Sequence, residues 1–215
     1  MPLQQGKIKG IADVVFVLDA SGSMGKVLEA VKKHIDDFVA GVNSSKNSSI
    51  DLRLGLVVHP TEDRPFSKSF DFTTDKDEFR RNLASVTLSN ENEWTLPAID
   101  KALDFSWRTQ GRRFVAVFTD EAVDDGAEPE IQKSKLADLK NKIIALHVHG
   151  YFIAPPCPIY DMLGKQMPRM VRVILTQDEL ATYDFGKFLG DMGKTVSVTS
   201  ESVAPVSFMP NLYGF

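Results

Sequence analysis

The apolar positions of this chain repeat with two periods. Val14, Val15, Phe16, Val17 and Leu18 form an unbroken apolar run that stops at Asp19. A run of that length with no polar face predicts a strand buried on both sides, as in a parallel sheet covered by helices. From Lys26 the pattern changes: Val27, Leu28, Val31, Ile35, Phe38, Val39 and Val42 recur at helical spacing, with Lys32, Lys33, Asp36 and Asp37 opposite. This predicts an amphipathic helix ending near Asn43. Residues 50–59 alternate as a strand, and after a polar turn, Pro60 to Pro65, residues 67–72 alternate again. Strand, short turn and strand predict a hairpin with one antiparallel member.

Further along, helical spacing covers 74–83, with Thr74 and Asp77 at its start, and 97–105, with Pro97 in the first turn. Arg112 to Phe118 reads as a second buried strand. Next come a helix over 131–139, a strand over 142–149, a proline-rich loop over 150–158, a short helix over 159–167, a strand over 171–175 and a helix over 178–192. Residues 195–215 show no firm period, and residues 1–12 read as a lead-in. Strands alternating with helices predict an α/β class: a doubly wound, mainly parallel sheet with one antiparallel edge strand and helices on both faces.

A length of 215 residues suits a single domain over 1–215, with a core over about 11–192 and a tail over 195–215. The formal charge of −4 speaks against a nucleic-acid surface. No export signal is legible in the opening residues and no run is long enough to cross a bilayer, so no membrane partner is expected. The single cysteine, Cys157, excludes an internal disulfide framework and fits a reducing, cytoplasmic setting.

The candidate chemistry sits where the first strand ends. Asp19, Ser21 and Ser23 place three oxygen-bearing side chains at alternate positions, with Gly22 allowing the backbone to bend between them. Carboxylate and hydroxyl oxygens are hard ligands suited to Mg²⁺. Open α/β sheets place such ligands outside the carboxyl ends of their strands. Helix capping alone would use one of the three oxygens and leave two idle. The strand over 112–118 repeats the arrangement, running into Thr119, Asp120 and Glu121.

Asp19-Ala20-Ser21-Gly22-Ser23, preceded by its apolar strand and joined by Phe118-Thr119-Asp120, resembles the metal-ion-dependent adhesion site of the von Willebrand factor A domain family. The resemblance spans about Ile11 to Met192. It implies Mg²⁺, with Mn²⁺ or Ca²⁺ as substitutes, held by Asp19, Ser21, Ser23 and Asp120. It also implies a non-enzymatic role, in which a partner protein donates Asp or Glu to the metal. An AAA+ ATPase or a signalling enzyme is the kind of partner implied. The family's middle ligand is a threonine in a Gly-Gly-Thr context, and here the loop reads Asn92-Glu93-Trp94-Thr95-Leu96-Pro97. Thr95 is the assignment made from the sequence, and Glu93 is its alternative. With Thr95, Asp19 and Asp120 neutralise a divalent ion and a partner carboxylate can join. With Glu93 the site is net negative and repels it.

Other signals are weaker. His147 and His149 would share one strand face, a pair that can bind zinc, although two exposed imidazoles explain it as well. Cys157 has no motif to supply a base. Trp107 reads as packing, Trp94 as a contact candidate in the metal loop, and Phe208, Tyr213 and Phe215 as a tail that folds back or docks. The rival class is a Mg²⁺-dependent phosphoryl-transfer hydrolase using Asp19. Against it, Ser21 stands where the second aspartate of one common phosphatase pattern would be, and no P-loop motif is present.

Overall fold

The computed structural model describes residues 9–44, 49–61, 67–180 and 182–201. The expected turn over 60–65 lies largely outside them, and the aromatic tail residues Phe208, Tyr213 and Phe215 lie wholly outside. Six strands form one sheet in the order β3-β2-β1-β4-β5-β6: β1 Lys9–Asp19, β2 Ser49–His59, β3 Lys68–Thr73, β4 Arg112–Phe118, β5 His149–Ala154 and β6 Met170–Ile174. All pairings are parallel except β2 with β3, so the antiparallel member is an edge strand, as expected. Strand β1 lies between β2 and β4, with Val14 opposite both Leu54 and Phe114. It begins at Lys9, earlier than the apolar run suggests.

Alternation along β1 sends residues to two cores. Val14, Phe16 and Leu18 pack under α1 (Gly25–Val42), α2 (Lys76–Ala84) and α8 (Phe185–Glu201). Val15 and Val17 pack under α3 (Thr95–Leu103), α5 (Leu136–Leu146) and α6 (Pro158–Gly164). Phe16 anchors the first core, with ring centroids 5.4 Å from Phe38 and 5.7 Å from Phe79. Helices α1 and α8 approach through glycines: a Cβ on Gly193 would lie 2.2 Å from the Phe38 carbonyl oxygen.

Several boundaries differ from the expectation. The start of α2 is capped by Asp75, whose carboxylate accepts the Asp77 amide at 2.9 Å, in place of the Thr74 and Asp77 pairing. The strand expected over 142–149 is helix: α4 (Pro129–Ser134) is followed by α5, which runs to Leu146. Adjacent Ile143 and Ile144 look like a strand, yet Leu139 and Ile143 are buried one helical turn apart while Ile144 is exposed. The strand is the next segment, β5, every residue of which is buried. Gly150 there is no loop marker, because a Cβ would meet Met167 Sδ at 2.2 Å. The helix expected over 178–192 is two, α7 (Gln177–Leu180) and α8, and α8 continues into the tail to Glu201.

In the amino-terminal half of β1, away from the candidate site, Asp13 is buried with 1% exposure. Both its oxygens are held by Arg53, at 2.9 and 2.7 Å, and by Arg108, whose amide and Nε donate at 2.9 and 2.7 Å. Burial alone would raise its pKa, but the bonds to the two arginines outweigh burial and hold it below the usual carboxylate range.

Candidate metal centre

Three loops at the carboxyl ends of the strands build the site. Leaving β1, the chain turns at Asp19, whose Oδ1 accepts the Ser21 amide at 2.8 Å. Ser21 forms a lone parallel bridge with Ser89, and the Ser89 amide donates to the Ala20 carbonyl at 2.8 Å. These bonds bring the loop before α3 against the first motif. The Ser21 and Ser23 hydroxyl oxygens lie 3.0 Å apart. From the end of β4, Thr119 donates its hydroxyl to Asp19 Oδ2 at 2.7 Å.

Carboxylate oxygens of Asp19, Glu93 and Asp120 all lie within 4.8 Å of one another, and this is the His/Cys/Asp/Glu group found among the described residues. Asp19 is 1% exposed and Glu93 8%, while Asp120 is half-buried. Burial is the main cause that pushes the Asp19 carboxyl up to about 7, and the charge of Glu93 adds to it. Backbone and hydroxyl bonds from Ser21 and Thr119 oppose that rise. Glu93 is raised too, chiefly by burial and further by Asp120, against bonds from its own backbone and from Ser21. Acidic groups packed this way need a proton or a cation between them.

Thr95, the sequence-based ligand, opens α3 with 2% exposure. Its hydroxyl is hydrogen-bonded to Tyr160 of α6, and Tyr160 donates to the Glu121 carbonyl at 2.9 Å. The nearby Asp19 charge raises the Tyr160 pKa, secondary to burial, so Thr95, Tyr160 and the carboxylates share one neighbourhood. Of the residues expected at the site, Asp19 and Asp120 are brought together with Glu93, and Ser21 and Ser23 flank them. His147 and His149 do not pair. His147 is the left-handed C-cap of α5, and His149 starts β5 with its ring stacked on Phe114. Cys157 is buried, and Trp107 packs on Phe72 with centroids 5.0 Å apart.

Sequence reading placed Thr119 in the second motif without a role of its own, and it missed Tyr160 and Gln132. Thr119 was legible in principle, since it shares the parity of Val115 and Val117 and therefore the face of Asp19. Gln132 carries no such signal. Buried at 1% exposure, it accepts the Leu96 amide at 3.1 Å and donates to the carbonyls of Glu93 at 3.1 Å and Ala127 at 2.6 Å. It pins the loop of Glu93 to the loop after β4.

A family model for the von Willebrand factor type A domain matches residues 13–154, from the buried Asp13 to the end of β5. The chain belongs to the von Willebrand factor type A domain family. Among solved structures, this VWA domain is similar to the one described as "Crystal Structure of the SpRpn10 VWA domain". The TM-score is 0.55 at 14% identity, over 83% of this chain and 97% of that one. At that identity the likeness carries the fold alone. No curated protein matches the sequence significantly. VWA domains are generally protein–protein interaction modules, and many bind a divalent metal at the carboxyl ends of their strands. The donor set of this one fits such an ion: hard carboxylate and hydroxyl oxygens around buried charge that a cation would neutralise.

Proposed function

We propose that this VWA domain binds a divalent cation and recognises another protein at the face where the ion sits. Mg²⁺ is the ion that suits the donors best, with Mn²⁺ or Ca²⁺ able to replace it. Asp19, Ser21, Ser23 and Asp120 would hold it, together with Glu93 and with Thr95 close by. The observation carrying this reading is the convergence of the Asp19, Glu93 and Asp120 oxygens within 4.8 Å. Three carboxylates leave a divalent ion with excess negative charge, so partner contacts belong beside the ion. A carboxylate donated by an AAA+ ATPase or a signalling enzyme belongs to the arrangement in which Thr95 alone fills the middle position. When bound, the ion would supply charge that fixes the three loops in one geometry.

A binding role is favoured over phosphoryl transfer because Asp19 is a poor nucleophile as placed. It is nearly inaccessible, with Oδ1 taken by the Ser21 amide and Oδ2 by Thr119. We assign residues 1–215 to one domain and place it in the cytoplasm, the setting that a buried, unpaired Cys157 suits. No helix among the described residues is long and apolar enough to cross a membrane.

Calorimetric titration of Mg²⁺ into chelator-treated protein tests the metal. Heat is expected from the unmodified chain and none from Asp19→Ala. Glu93→Gln should weaken binding by on the order of tenfold, more than Thr95→Ala does. Absence of heat from the unmodified chain overturns the metal reading. Equal binding by Glu93→Gln returns the middle position to Thr95.

A further inference from the structure

Beside the carboxylates, the surface dips into an open cavity of about 270 Å³ lined by Asn90, Glu91, Asn92, Trp94, Ala127 and Glu128. Its two walls are the loops that also carry the metal ligands. They are tied together below it: the Ala127 amide donates to the Glu93 carbonyl at 2.9 Å, and buried Gln132 bonds the carbonyls of both. Gly126 permits that approach, since a Cβ there would lie 2.9 Å from the Glu93 oxygen. The concavity is thus part of the folded framework. Trp94 is half-buried in its wall, while Glu91 and Glu128 are exposed at its rim.

An indole beside two carboxylates is the chemistry that receives an organic cation, the ring through its quadrupole and the carboxylates through charge-assisted hydrogen bonds. The surroundings reinforce it, because residues 87–95 and 119–129 contain seven carboxylates and no Lys or Arg. Lys133, the nearest basic residue along the chain, is paired with Asp124 and Glu130. A partner carboxylate approaching these two segments meets an excess of negative charge, and a partner cation is drawn in. We propose that the cavity walled by Trp94, Glu91 and Glu128 receives an Arg or Lys side chain of the partner protein, so that this face selects a basic segment. The inference rests on reading this face as the interaction face, but not on an ion being bound.

Trp94 and Trp107 are the two tryptophans of the chain, so Trp107→Phe leaves Trp94 as the sole indole reporter. Blocked tri-arginine, tri-lysine and tri-glutamate peptides are titrated into that variant, with Mg²⁺ and with chelator, and Trp94 emission is followed. Saturable change with the two basic peptides, none with tri-glutamate, and weakening by added salt are expected. The double variant Glu91→Gln/Glu128→Gln should weaken the response on the order of tenfold. Asp36→Asn/Asp191→Asn, with the same charge change on α1 and α8, should not. A response to tri-glutamate alone overturns the proposal, as does equal weakening by both double variants or no saturable response to either basic peptide. Glu91 and Glu128 are exposed, so an unchanged melting curve shows that the first double variant is folded. Failure of Mg²⁺ calorimetry with the peptide response intact removes the metal reading only. Intact calorimetry with no basic-peptide response removes this inference only.

Discussion

His59 closes β2 as the register partner of Asp19, fully buried, and neither ring nitrogen has a hydrogen-bond partner among the described residues. Burial pulls its pKa down from the ordinary 6.5 to about 3. The folded chain therefore keeps it neutral where the unfolded chain takes up a proton. Because the unfolded state binds more protons between those values, stability falls as pH drops from 6.5 toward 3, by on the order of 1 kcal/mol per pH unit from this group. Urea denaturation of the unmodified chain and of His59→Leu across pH 7 to 4 checks this. The variant should show the shallower pH dependence, and parallel curves would refute the assignment. Residues of this kind were hardly legible beforehand. The spacing of Asp19, Ser21 and Ser23 is local and could be read directly, whereas the solitude of His59 and the grip of Arg53 and Arg108 on Asp13 depend on residues 40 to 95 positions apart.

Elements were legible where burial follows the apolar pattern along their whole length. Helix α1 and strands β1, β2 and β4 follow the apolar pattern closely, because their environment is uniform along their length. The error over 131–154 arose where burial and composition part company. Ile144 is apolar and exposed, while Gly150 looks like a breaker and lies in a buried strand. The contact of α1 with α8 is the other feature that only packing specifies. Gly193 and Gly41 admit backbone against backbone, and a Cβ on Gly193 would also lie 2.8 Å from the Val42 nitrogen. Backbone atoms cannot rotate aside, so Gly193→Ala should cost about 3 kcal/mol through displacement of α8. Gly190→Ala, whose nearest neighbour is the Asp37 oxygen at 3.8 Å, should cost little and gain some helix propensity. Thermal melts of the two variants should therefore separate clearly.

For the molecule as a whole, a cation that joins three loops stabilises the folded state over the unfolded one. At a hundredfold excess over its dissociation constant, the proposed ion would add about 2.7 kcal/mol, which for a chain of this size is a rise of roughly 5–10 °C in Tm. Scanning calorimetry with Mg²⁺ and with chelator should show that rise in the unmodified protein and none in Asp19→Asn. A Tm indifferent to Mg²⁺ in the unmodified protein would count against a site that links the loops. The candidate site lies at one end of the sheet for a topological reason. Parallel strands deliver their carboxyl ends together, and in the order β2-β1-β4 the ends carrying His59, Asp19 and Thr119 become neighbours.

By itself the sequence determined the α/β class, the antiparallel edge, the first motif and the strand that delivers Asp120, because each depends on short-range periodicity or on residues within one turn. Tertiary structure alone decided that Glu93 joins Asp19 and Asp120, that Thr95 pairs with Tyr160, and that Gln132 fastens the loops around the Trp94 cavity. These contacts join loops far apart in the chain. The position of a side chain in such a loop is set by the backbone bonds that anchor it, and no local pattern records them.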